Sequence, residues 1–190
     1  MAKGAEDMKQ TDTAVIGAGE ISLRRAVPAD AERLAHIGVA TFIDSYTFDI
    51  EGDAMIAHCT RQHAREVYEA YLADPASSVW LAEYAATGAP VGYAVNCPPD
   101  LPIPLEAGDV ELKRIYVLSR FHGSGTGQRL MEAAILDAGA RGAPRLLLGT
   151  YQDNYRAVAF YQKHGFALAG TRQFQVGDRL YDDIIMARRL

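Results

Sequence analysis

Three glycines, Gly123, Gly125 and Gly127, alternate with small residues and lead directly into the amphipathic pattern "QRLMEAAILDAGA". Glycine loses the most conformational freedom on folding, so a cluster implies a backbone doing what other residues forbid. Here that is close approach of N–H groups to a ligand at a helix start, where unused amides and the positive end of the dipole favour an anion. The run 123–128 therefore reads as a phosphate cradle. It is not a dinucleotide fingerprint, which needs Gly-x-Gly-x-x-Gly and an acidic residue roughly 20 residues on. It is not a Walker loop either, since Gly-Lys-Ser/Thr is absent. A second group, His58, Cys59 and His63, has metal-ligand chemistry but no fourth ligand nearby, so no metal is expected.

The surrounding elements follow from periodicity. "ISLRRAV" (21–27) alternates as a half-buried strand, and residues 28–46 carry helical spacing after Pro28. A second helix is expected over 61–74, ended by Asp74-Pro75. "SVWLAEYAA" (78–86) and "VGYAVNC" (91–97) read as a hairpin, and the proline-rich stretch 98–109 as a loop. "VELKRIYVL" (110–118) is a strand, 127–142 a helix, "RLLLGTY" (145–151) a buried strand and 154–165 a short helix stopped by Gly165. Residues 166–176 and 181–190 close the chain as two strands joined by "GDRL". These elements form one domain over 20–190, preceded by a tail, 1–19, expected to be flexible.

"IYVLSRFHGSGTGQRLMEAAI" resembles the central strand, loop and helix of the GCN5-related N-acetyltransferases, the GNAT superfamily. "NYRAVAFYQKHGF" (154–166) is similar to that family's second signature, an Asn opening a helix with a Tyr seven residues later. Within the superfamily the likeness is to the PaiA-like polyamine (spermidine/spermine) N-acetyltransferases, carried also by "ELKRIYVL" and "FQVGDRLYDDIIMARRL". The resemblance implies a mixed α/β fold: a central, mostly antiparallel sheet of six to seven strands, flanked by about four helices and splayed at the acetyl-CoA site. It implies acetyl-CoA as co-substrate. The sequence departs from the family at one place: His122 stands where the loop pattern has Gln or Arg.

The resemblance distributes roles residue by residue. Backbone groups of Tyr116, Val117 and Leu118 would pair with the pantetheine arm as an added strand would, with the Val117 or Leu118 N–H serving the thioester oxygen. Gly123, Ser124, Gly125, Thr126, Gly127 and Gln128 would hold the pyrophosphate, and Asn154 the pantetheine. Tyr161 would be the general acid. From spacing alone it reads as a core tyrosine. Glu111, on a strand face expected to include Lys113, Ile115 and Val117, would be the general base, acting through a water. It matches the catalytic glutamate of the histone-acetylating branch. Acetyl transfer needs both roles, because an amine with pKa near ~10 is mostly ammonium at neutral pH and the leaving thiolate must be protonated.

The net charge of −5 disfavours nucleic acid as a partner. Cys59 and Cys97 form no Cys-x-x-Cys pair, so neither a disulfide framework nor a zinc finger is expected. No segment reaches the roughly 18 apolar residues of a membrane span, and the beginning lacks a signal-peptide pattern; a cytoplasmic location and no membrane partner are the expectations. The expected partner is a small-molecule amine, and a homodimer is compatible with the sequence. A polyamine would be drawn by acids such as Asp44, Asp49 and Asp53. Acetylation of a peptide or protein N-terminus is the alternative, disfavoured because Gly149 stands where ribosomal-protein acetyltransferases usually carry glutamate. A non-catalytic acyl-CoA sensor is a third reading.

Overall fold

The computed structural model describes residues 20–190, so the expected tail lies outside the described residues. Seven strands form one sheet: β1 (Ile21–Arg25), β2 (Ser78–Tyr84), β3 (Ala89–Cys97), β4 (Val110–Val117), β5 (Arg145–Tyr151), β6 (Ala167–Val176) and β7 (Arg179–Arg189). Their spatial order is β1-β2-β3-β4-β5-β7-β6. Every pairing is antiparallel except β4 with β5, which meet only at Val110↔Leu146 and Glu111↔Leu147. Beyond Glu111 the two strands part. The expected splayed, mostly antiparallel sheet is the one observed.

Five α-helices accompany it among the described residues: α1 (Ala31–Tyr46), α2 (Gly52–Gln62), α3 (Arg65–Ala73), α4 (Thr126–Ala140) and α5 (Tyr155–Lys163). The expected single helix over 61–74 is two. Its first residues belong to α2, which begins because the Glu51 carboxylate accepts from the Asp53 and Ala54 amides, each at 3.0 Å, filling the role of an N-cap. β7 likewise starts two residues earlier than its apolar pattern suggests, since the turn closes at Gly177 with φ 58°.

Strand alternation builds a core on each face. Trp80, Ala82 and Ala94 pack with Leu130, Met131 and Ala134 of α4. Val79, Leu81, Tyr93 and Val95 pack with Leu34 and Ile37 of α1 and with Tyr68 of α3. Truncating a fully buried leucine such as Leu130 or Leu146 to alanine is worth about 2–5 kcal/mol in cores of this kind. A Cβ at Gly38 of α1 would collide with the Tyr68 hydroxyl and the His63 ring, so this glycine lets α3 and the end of α2 pack closely on α1.

A bulge in β4 decides where the chemistry points. Val95 pairs with Arg114 but Asn96 with Leu112, so Lys113 is the extra residue. Before it, Val110 and Leu112 face α4; after it, Ile115 and Val117 do. Glu111 and Val117 therefore lie on opposite faces of the sheet. The expected shared face of Glu111, Lys113, Ile115 and Val117 does not exist, because one inserted residue inverts the alternation.

Candidate active site

Where β4 and β5 part, a cleft of about 410 Å³ opens on the α4 and α5 side. Its floor is the free edge of β4. The Leu118 N–H donates to the Val91 carbonyl at 2.9 Å, which makes Gly92↔Val117 the non-hydrogen-bonded kind of antiparallel pair. The Val117 N–H and C=O consequently point away from β3, toward the gap. Of the two amides expected at a thioester oxygen, Val117 is turned to the cleft and Leu118 is committed to the sheet. The ring of His122 meets the Val117 carbonyl at 2.8 Å through Nε2; since a carbonyl only accepts, Nε2 carries the proton. Partial burial lowers the pKa of this histidine, against the opposing pull of the Val117 carbonyl. The residue replacing the family's Gln or Arg thus holds the end of the strand that borders the cleft.

The glycine loop closes one end. Gly123 (φ 86°) and Gly125 (φ 81°) are left-handed, a conformation that turns the chain into α4 at no steric cost. Gly123, Gly125, Gly127 and Gln128 line the cleft. Ser124 and Thr126 do not: both are buried, their hydroxyls 2.7 Å apart, with the Ser124 hydroxyl donating to the Phe121 carbonyl at 2.7 Å. Their side chains brace the loop from behind. The first turn of α4 leaves the amides of Thr126, Gly127 and Gln128 without a carbonyl four residues back inside the helix. Asn154 caps α5 by accepting from the Ala157 amide at 3.1 Å, which leaves its side-chain NH₂ available at the cleft wall.

Tyr161 lies in the same cleft, 8% exposed, its ring edge-on to Phe160 and Phe166. Burial, and then the neighbouring Tyr116, push its phenol well above the usual range, so it carries its proton at any working pH. Tyr46 and Tyr116 line the cleft with it.

On the other face of the sheet is a smaller chamber of about 150 Å³. Tyr46, Lys113, Arg114, Tyr116, Gly149 and Thr150 border both cavities, so the two meet through the sheet at the gap. Glu111 faces this chamber, almost wholly buried, and accepts from the Asp100 amide at 2.8 Å and from the Lys113 ammonium at 3.2 Å. It is not in the cleft with Tyr161. Asp183 of β7 is also here, paired across the ladder with Arg172 of β6 at 3.0 Å. Burial raises the Asp183 pKa, with Arg172 opposing. The Arg172 guanidinium rests on Gly149.

Sequence reasoning missed Tyr46, Arg114, Arg172 and Asp183, and gave Tyr116 only a backbone role. Asp183 sits one residue from Asp182 in "YDDII", and only the strand's orientation distinguishes the buried member. His58 and His63, weighed as metal ligands, are instead chamber-wall residues, both buried; His58 stacks on Phe42 at 4.4 Å. Among the described residues no cluster of three or more His, Cys, Asp or Glu is placed around a common point. Of the three acids expected to draw a polycation, Asp49 lines the chamber. Asp44 instead accepts from the Ser119 amide and hydroxyl at 2.6 and 3.0 Å, and Asp53 lies in the exposed first turn of α2. No helix among the described residues is long and apolar enough to cross a membrane.

Comparison with known proteins places this arrangement. An uncharacterized N-acetyltransferase of Mycobacterium tuberculosis is 32% identical over 161 residues, spanning 85% of this chain and 98% of that protein. The PaiA N-acetyltransferase of Thermoplasma acidophilum, solved in complex with coenzyme A, shares the fold with a TM-score of 0.73 at 18% identity, over 90% of this chain and 99% of that one. A ribosomal-protein-alanine N-acetyltransferase of Brucella melitensis has a TM-score of 0.64 at 26% identity, over 89% and 99%. The sequence profile of the Acetyltransferase (GNAT) family matches residues 45–166. With that span and the mycobacterial relative together, this chain belongs to the GNAT family of acetyltransferases.

Proposed function

We propose that the chain transfers the acetyl group of acetyl-CoA to the primary amine of a small molecule, the two substrates approaching from opposite faces of the sheet. The observation that carries this is the meeting of a loop-and-strand cleft with a polar chamber at Tyr46 and Tyr116, across the gap between β4 and β5. In the cleft, the amides of Gly127 and Gln128 suit a pyrophosphate, the free edge of β4 suits the amide-bearing pantetheine arm, and the Val117 N–H suits the oxygen that gains charge as the amine attacks.

The step itself forms an N–C bond and breaks the C–S bond. The nitrogen gives up two protons. The first leaves the ammonium, through water, to Glu111; the second, released once the N–C bond has formed, restores the Tyr161 phenol after Tyr161 has protonated the departing sulfur. Both Glu111 oxygens already accept a hydrogen bond, so a water must join that network rather than replace it. The polyamine class is supported by Asp49 alone of the three acids first considered, so the reading carried forward is a small primary amine.

The alternative acceptor, a protein N-terminus, is disfavoured by Gly149. A glutamate there would have to enter the space of the Arg172 guanidinium. Free-thiol release from acetyl-CoA, measured over a panel of polyamines, simple amines, amino acids and short peptides, tests the proposal. Acceptor-dependent release with small amines and none with peptides is expected. Absence of release with every acceptor, despite tight acetyl-CoA binding, would instead support a sensor.

A further inference from the structure

Not every charge in the chamber wall is ion-paired. Glu111 is matched by Lys113 and Asp183 by Arg172. Asp49 lies at the exposed rim. The remaining cation is Arg114, and among the described residues no carboxylate comes within ion-pairing range of it. Its guanidinium donates to the Gln62 carbonyl at 2.7 Å and meets the His63 ring at 3.0 Å. It lies over the rings of Tyr68 and Tyr71, 5.5 and 6.0 Å from their centres. Its Nε is buried without a partner, as is Nδ1 of His58 in the same wall.

An arginine cannot shed its proton in a protein, and Arg114 is half-buried, so its charge is partly withdrawn from water with no counter-ion to offset the cost. The guanidinium's fork geometry matches a carboxylate in particular. The ring that meets it, His63, supplies no compensating charge. Arg114 also borders the cleft, so a group bound beside it lies next to the seam at which acetyl transfer takes place. The chamber's size adds a limit: a cavity of about 150 Å³ is enough for a benzene-sized molecule. That volume matches the whole of a compact zwitterion but only one end of a long polycation.

We propose that the acceptor is a compact amine bearing a carboxylate, an amino acid or a close relative, with its carboxylate held by Arg114 and its amine directed to the gap beside Tyr116. This rests on the acetyl-transfer reading and names the substrate class for the same site. The bond changes are those already given, and no further reactant is needed.

The test uses the wild-type protein and matched series: the standard amino acids, their carboxamides and their decarboxylated amines, with spermidine alongside. Acceptor-dependent thiol release gives kcat/KM for each. At least one amino acid should exceed its own carboxamide and amine by about 100-fold or more, since a site with a buried polar group rejects analogues that leave it unpaired. Arg114→Gln should bring that ratio toward one by raising the amino-acid KM, with acetyl-CoA affinity unchanged. Arg114→Lys, which keeps the charge but loses the fork, should fall between. Acetyl-CoA titration identifies a variant that has failed to fold, and the wild-type series stands without any variant. Carboxamides or amines that equal the amino acids, or spermidine as the preferred acceptor, would overturn the carboxylate assignment while leaving acetyl transfer in place. Absence of release with every acceptor would overturn both.

Discussion

The guanidinium of Arg172 lies against Gly149, its Nη2 only 2.8 Å from the point where a Cβ would stand. That contact holds Arg172 in the plane where it meets Asp183. Gly149→Ala should push the guanidinium aside, and Gly149→Glu should also offer it a competing carboxylate. Acceptor KM should rise by about tenfold or more in both variants, with acetyl-CoA affinity within a factor of about two. An unchanged acceptor KM in a folded Gly149→Glu variant would show that the Arg172–Asp183 pair takes no part in acceptor binding.

Gly127 is the cleanest probe of the cradle. Unlike Gly123 and Gly125, it does not have a positive φ, and a Cβ there would first meet Phe160 at 3.8 Å. Gly127→Val therefore adds bulk at the cleft with little backbone strain. Affinity for CoA and acetyl-CoA should fall by at least about tenfold, by titration calorimetry, while melting temperature changes little.

Tyr161→Phe keeps the ring packing against Phe160 and Phe166 and removes only the hydroxyl. Turnover should drop by about 100-fold or more, the scale of a lost proton donor, at unchanged acetyl-CoA affinity. Turnover equal to wild type would make Tyr161 a packing residue.

Glu111→Gln keeps shape and hydrogen bonding to the Asp100 amide but loses basicity. A large fall in turnover near neutral pH should be partly recovered as pH approaches the ammonium pKa near ~10, where the amine arrives deprotonated. The same measurement on Asp183→Asn separates the two buried carboxylates. Recovery at high pH in that variant and not in Glu111→Gln assigns the proton transfer to β7.

His58 and His63 make stability pH-dependent. Burial first, and Arg114 second, lower their pKa values to about 4 and about 3. The unfolded chain protonates both near ~6.5, so below that pH the unfolded state holds more protons than the folded one. The stability they contribute is complete above ~6.5 and is lost as pH falls toward the folded values. Melting temperature should decline steadily between those limits, and His63→Gln should show a shallower decline.

Much of this was legible from residue order. The hairpin pattern of "SVWLAEY", "TGAP" and "VGYAVNC" and the amphipathic pattern after Gly127 placed β2, β3 and α4. The face of Glu111 was not legible. A bulge at Lys113 has no compositional mark in "ELKRIYV", because all its residues are compatible with a regular strand. α2 was hidden for a similar reason: Glu51 acts as its cap, whereas Ser, Thr, Asp and Asn are the usual signals. The chamber behind the sheet is the least local feature. Arg114, Gly149, Arg172 and Asp183 come from four strands, and only the β5-β7-β6 order gathers them.

The two residue pairs that join β4 to β5 have a mechanical meaning. They divide seven strands into a panel of four and a panel of three, with Val110, Glu111, Leu146 and Leu147 as the hinge line. The α4 and α1 cores belong mainly to the larger panel, and Arg172 and Asp183 to the smaller. A donor arm lying along the free edge of β4 would act as the missing rung between them. Cofactor loading would then also set the spacing of the two panels, and with it the distance from Arg114 to the Arg172–Asp183 pair against which an acceptor is measured.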